Sequence, residues 1–232
     1  MTGRNYFLAA LLALLFGFAG AALWSLSGLG DRQVRGYLLD HPEVLAEMAD
    51  AYQAKQASER LSAVAGEVAE PFPGAVLGNP EGSVTLVEFT DYGCTYCRMS
   101  KPEVDRLVAD NPDLRVVIRE WPIFRGSEEA ARMALAAAQQ GKFAAFHDAM
   151  FALGPPDAAS IEKAARAAGL DLAAAREFAS SETATREIAK TMRLAETLGF
   201  TGTPSWVVGG KVIEGAVGYD GLDAAIGDAR GS

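Results

Sequence analysis

Cys94-Thr95-Tyr96-Cys97 is the stretch whose residue types and spacing most directly imply chemistry, and it holds the only two cysteines of the 232-residue chain. Such a pair can exchange disulfides, hold a soft metal or staple a turn. Attack on a disulfide requires a thiolate, which forms most readily where a strand ends and a helix begins. There, unpaired backbone N–H groups and the positive end of the helix dipole stabilise an anion. Cys94 fits that place, and Cys97, three residues on and on the same helix face, fits the role of resolving thiol. Structural zinc takes about four ligands, and the chain offers only these cysteines and two distant histidines, His41 and His147. Copper(I) is a better rival, because two thiolates can hold a soft ion and Met99 is close by. A staple closing so short a loop removes little unfolded-state entropy. Exchange is the preferred reading; it needs no metal and no cofactor beyond the redox-active disulfide that Cys94 and Cys97 form.

The compartment bears on that choice. From Tyr6 to Trp24 the sequence reads YFLAALLALLFGFAGAALW, 19 residues without a charge, after Arg4. An apolar run of that length approaches the roughly 20 residues that span a bilayer, and a positive flank before it keeps the N-terminus inside and exports the rest. Ala19-Gly20-Ala21 also offers a small-residue cleavage site. Leu23 and Trp24 carry the run past it, which favours an anchor over a cleaved signal. Under either reading Cys94 and Cys97 lie outside the cytoplasm, in the periplasm or its equivalent, where a disulfide persists. The formal net charge of -9 argues against nucleic acid, whose phosphates demand clustered Lys and Arg.

Several elements must then position the pair. About residues 1–30 form the export or anchor segment, and about 31–70 a charged helical arm, broken near Asp40-His41-Pro42. Val44, Leu45, Met48 and Tyr52 recur along the arm at helical spacing, so that face either docks on the main domain or pairs with another copy of the chain. His41 reads as a capping or surface residue. Prolines and glycines between Pro71 and Gly82 mark the start of the catalytic domain, about 71–232. SVTLVEF, Ser83 to Phe89, reads as a buried strand, the segment after Cys94 as a helix stopping at Asn111-Pro112, and LRVVIREW, Leu114 to Trp121, as a second strand. This βαβ unit sets CxxC at its first strand-to-helix turn. From about 127 to 200 only helical patterns appear, with Ser127 and Ser160 among the expected caps and His147 as a packed or half-exposed structural histidine. SWVV, Gly209-Gly210 and KVIE then give a hairpin, and Tyr219 to about Ala229 a closing helix.

Glu88 interrupts the apolar run of TLVEF, and an acid there costs free energy unless paired or protonated. The alternative is an exposed glutamate on an edge strand.

Strand TLVEF, then CxxC at a helix start, a helical stretch and Gly202-Thr203-Pro204 opening a β-run together resemble the DsbA-like thiol-disulfide oxidoreductases, from about Gly78 to Ala229. The resemblance implies an α/β thioredoxin fold with an inserted all-helical subdomain, here preceded by the arm and the apolar segment. It implies that Pro204 is cis beside the pair, that Thr203 offers its backbone to a client strand, and that Glu88 exchanges a proton with Cys97. The strongest oxidants of that family carry Pro-His between the cysteines. Thr95-Tyr96 stands there instead, so these residues are expected to tune the pair, and the direction of electron flow stays open between oxidase, isomerase and reductase. The arm resembles the stalks of oligomeric DsbA-like isomerases, which implies a homo-oligomer. Expected partners are exported cysteine-containing proteins and a membrane redox protein that reoxidises or reduces the pair.

Overall fold

The computed structural model describes residues 3–26 and 28–231. Met1, Thr2, Ser27 and Ser232 lie outside the described residues, as do the side chains of Arg4 and Tyr6, which flank and open the expected anchor. The chain divides into two compact units, Met1–Ala54 and Lys55–Ser232.

In the first unit, helix α1 (Gly3–Leu26) contains an exposed apolar stretch, Phe7–Trp24, of mean hydropathy 2.2. Its 18 residues rise about 27 Å at 1.5 Å each, close to the thickness of a bilayer core. Helix α2 (Leu29–Asp40) ends at His41, whose ring lies 4.4 Å from that of Tyr37 and whose Nδ1 is 2.9 Å from Glu43 Oε1. The next helix, α3 (Glu43–Ala69), begins there and ends in the second unit. Val34, Leu38, Leu45, Met48 and Tyr52 are exposed.

The second unit is built on a five-stranded sheet of order β1-β3-β2-β4-β5: β1 (Val76–Gly78), β2 (Val84–Thr90), β3 (Leu114–Glu120), β4 (Ser205–Val208) and β5 (Lys211–Glu214). Strands β2 and β3 are parallel, joined through helix α4 (Thr95–Asp110), and the other pairings are antiparallel. Central β2 is apolar on both faces because each face meets its own core. Leu86, with Trp206 and Val208, packs with Val104 and Leu107 of α4. Val87 and Phe89 pack with Leu61 and Val68 of α3 on the other side. This position removes the edge-strand alternative for Glu88, which is 3% exposed.

Helices α5 (Ser127–Gln139), α6 (Phe143–Leu153), α7 (Ala158–Ala167), α8 (Leu172–Ala179) and α9 (Glu182–Leu198) form the helical insertion, and α10 (Gly218–Arg230) closes the chain. Buried alanines of α5, among them Ala130, Ala131 and Ala134, let neighbouring helices approach closely. Two expected caps shift. Gly126 precedes α5, leaving Ser127 inside it, and Asp157 caps α7 while Ser160 completes a capping box. Gly209 and Gly210, at φ 53° and 78°, supply the left-handed turn that joins β4 to β5. Buried Arg119 on β3 donates to the carbonyls of Glu67, Val68 and Glu70 and to Glu187, holding the end of α3 against the sheet.

Candidate active site

Central strand β2 ends at Thr90, and the turn Asp91-Tyr92-Gly93 passes the chain to α4. Asp91 secures this turn. Its buried carboxylate accepts from the N–H of Gly93 at 2.6 Å and, through the other oxygen, from Ile123 at 2.6 Å and Phe124 at 2.9 Å. A side chain on Gly93 would meet Ser127 Oγ at 2.7 Å and Phe124 Cβ at 2.9 Å, so glycine is what the close packing allows there. Cys94, the N-cap of α4, has its own N–H on the carbonyl of Asp91 at 3.0 Å.

Cys94 and Cys97 are both free thiols, within the first turn of α4. The chain closes over them from the far side. The Thr203–Pro204 peptide bond is cis, and Cys94 Sγ donates to the carbonyl of Thr203 at 3.2 Å. Cys94 is 2% exposed and Cys97 0%, so of the two only Cys94 keeps any open surface. Thr95 and Tyr96 between them are exposed, as is Met99, and Ile123 and Phe124 expose apolar surface on the loop clasped by Asp91.

Burial pushes the Glu88 carboxyl up to about 7, against the weaker effects of the Thr90 hydroxyl and the Lys101 ammonium. Burial also drives the Cys97 thiol well up, and the charge of Glu88 adds to it. A thiol reluctant to ionise therefore lies within electrostatic reach of a carboxyl that titrates near neutral pH. The structure thus brings together Cys94, Cys97, Glu88, Thr203 and Pro204.

Three further buried groups were not anticipated from the sequence as parts of this site: Tyr92, Glu120 and Lys101. Lys101, on α4, binds Asp105 at 2.5 Å and Asp148 of α6 at 2.6 Å. Burial opposes its charge, yet these carboxylates outweigh that effect and raise its pKa. Arg98 donates to the carbonyls of Phe151 and Tyr92, a second tie between α4 and the insertion. His147 is packed rather than half-exposed, and burial lowers its pKa to about 3, with Lys101 contributing.

Comparison with known proteins agrees with this geometry. The family model of the DSBA-like thioredoxin domain matches residues 85–227, and that of the "Copper resistance protein ScsC N-terminal domain" matches residues 31–59. A thioredoxin-like oxidoreductase from Silicibacter pomeroyi is 46% identical, covers 68% of this chain and 92% of its own, and superposes with a TM-score of 0.65. A periplasmic thioredoxin-like protein from Salmonella enterica serovar Typhimurium is 28% identical over 73% of this chain and 97% of its own, with a TM-score of 0.65. The Na(+)/H(+) antiporter NhaA 3 of Salinispora tropica is 32% identical over 164 residues, 68% of this chain. The chain spans about a quarter of the length of the curated relatives it matches first, 25% for that antiporter.

Proposed function

The chain belongs to the DSBA-like thioredoxin domain family, and from that premise we propose that it is a thiol-disulfide oxidoreductase that forms or exchanges disulfides in exported proteins. The observation that carries this reading is Cys94 at the N-cap of α4, its sulfur on the Thr203 carbonyl, with Cys97 buried beside Glu88. The Cys94 thiolate attacks a client disulfide, forms a mixed disulfide and releases one client thiolate. Cys97 gives its proton to the Glu88 carboxylate and attacks Cys94 Sγ, releasing the second client thiolate. The client is reduced by two electrons and the pair is oxidised to the Cys94–Cys97 disulfide; the reverse sequence delivers a disulfide. Thr203 offers backbone to an extended client segment beside Pro204. Tyr96, Met99, Ile123 and Phe124 supply apolar surface for it, and Thr95-Tyr96 tunes the pair.

Location outside the cytoplasm is supported by the apolar helix α1 and by the periplasmic relative. The match to part of an antiporter supports work close to a membrane, with a membrane redox protein restoring the pair after each turnover.

Disulfide shuffling by an oligomer is the form of this activity that the arm favours. Residues 31–59 match the ScsC N-terminal domain, and Val34, Leu38, Leu45, Met48 and Tyr52 leave apolar surface exposed. Measuring the redox potential of the pair alongside the solution mass of the full chain in detergent separates the possibilities. An oligomer with a potential near that of its compartment is expected; a monomer with a strongly oxidising potential would assign net oxidation instead. An anaerobic copper(I) titration of the reduced chain addresses the metal-binding rival. Exchange without appreciable copper uptake eliminates that rival, and stoichiometric uptake without exchange would replace the proposal.

A further inference from the structure

Behind the cysteines lies a polar cluster that the exchange steps leave unused. The Tyr92 hydroxyl is 2.8 Å from Glu120 Oε1 and 3.0 Å from His147 Nδ1. The three residues come from the Cys94 turn, the end of β3 and helix α6, and they are 0%, 2% and 1% exposed. Glu120 Oε2 is buried and has no hydrogen-bond partner among the described residues.

The charges around this cluster are disposed against a carboxylate at Glu120. Glu88 on β2 and Asp91 on the turn are acids, and Asp148 of α6 bears on Tyr92. The cation that acts on His147 is Lys101 of α4, and its ammonium is committed to Asp105 and Asp148. Among the described residues an ionised Glu120 would be a buried anion with one hydrogen bond and no paired cation, since Arg98 is held on the carbonyls of Phe151 and Tyr92, and that is strongly unfavourable. As an acid, it has two places for its hydrogen. On Oε2 the hydrogen would be an orphaned buried donor; on Oε1 it reaches the Tyr92 oxygen, leaving Oε2 as an orphaned acceptor, the cheaper fault. The Tyr92 hydrogen must then go to His147 Nδ1, which leaves the ring hydrogen on Nε2.

We propose that Glu120 is a positioning residue held as the neutral acid, starting a one-way chain from Glu120 O–H to Tyr92 O–H to His147 Nδ1. The chain pins the turn bearing Cys94 to α6 and leaves Glu88 as the carboxylate that exchanges protons with Cys97. Only that last consequence rests on the proposed exchange function. Burial drives the Glu120 carboxyl well above the usual carboxylate range against the lowering effect of the Tyr92 hydrogen bond, and the charges of Asp91 and Glu88 add to the rise, the direction the geometry requires. A second anion here would also push Glu88 upward and away from neutrality.

Two spectroscopic signatures test this on the full chain in detergent. The first is the tautomer of His147 from ¹⁵N-histidine NMR, with His41→Asn leaving a single histidine. Nε2–H with an unprotonated Nδ1 is expected throughout the pH range in which Glu88 titrates. An Nδ1–H tautomer, the arrangement a Glu120 carboxylate would impose through Tyr92, or an imidazolium overturns the proposal. The second is the infrared C=O stretch of a protonated carboxylic acid. It should persist at pH above the Glu88 midpoint, survive Glu88→Gln and vanish in Glu120→Gln; its absence from the parent chain is equally fatal. Neither signature needs a client, so failed exchange would leave the chain of hydrogen bonds standing, while an Nδ1–H signal would sink it and leave exchange intact.

Discussion

Cys97→Ala in the full chain is expected to accumulate mixed disulfides between Cys94 and client proteins, as adducts that a reductant releases on a denaturing gel. Cys97 lies in the first turn of α4, three residues from Cys94, and is fully buried. Such an intramolecular attack benefits from effective molarities that can reach about 10⁵ M or more. Without Cys97, release must wait for an external thiol at far lower concentration, so the adducts should outlive those of the parent chain by orders of magnitude. Cys94→Ala should yield none. Adducts formed equally by Cys94→Ala and Cys97→Ala would reverse or abolish the assigned roles. The alanine in place of Cys97 opens a small gap in the core cluster that contains both cysteines, so retained cooperative unfolding is the control that keeps the result interpretable.

Glu88→Gln should move activity and stability in opposite directions. Folded Glu88 holds its proton up to about 7, compared with an ordinary value of 4.5 for an unfolded glutamate. Between those values the folded chain binds more protons than the unfolded one, so its stability falls as pH rises through the window. The loss is complete above it and amounts to about 3 kcal/mol. Glutamine carries no charge to bury. The variant should therefore match the parent chain below pH 4.5 and exceed its stability by up to about 3 kcal/mol above pH 7, read from urea midpoints. The same change removes the proton acceptor beside Cys97, and general-base catalysis contributes at least about 10²-fold. Decay of the mixed disulfide at neutral pH should slow by about that factor and lose its dependence on the Glu88 titration. A variant less stable in alkali, or one resolving at the parent rate, would show that Glu88 is not the buried base.

How much of this was legible in the sequence follows the range of each interaction. The βαβ unit, the CxxC turn and the two-glycine hairpin are written in local patterns, and those elements stand where the patterns put them. Strand β1 is three residues long amid prolines and glycines, too short for any alternation to register, and it exists because it pairs with Val116 and Val117. Ser160 resembles a cap in isolation, but Asp157 three residues earlier takes that place. The covering of Cys94 depends on Thr203, 109 residues away, and Tyr92 finds Glu120 and His147 across 28 and 55 residues. No window along the chain contains such pairs. One signal was nonetheless present: Glu120 and Arg119 interrupt the apolar strand LRVVIREW just as Glu88 interrupts TLVEF. Applied to β3, the reasoning that singled out Glu88 would have flagged both.

In the proposed exchange Cys94 takes the client sulfur and Cys97 releases it. A single turnover tests it: the reduced full chain is mixed with a cystine peptide, quenched in acid at intervals, and mapped by mass spectrometry. A transient adduct on Cys94 should give way to the Cys94–Cys97 disulfide as the second peptide thiol appears. Exchange no faster than that of the peptide with a simple thiol, or an adduct that forms first on Cys97, would contradict it.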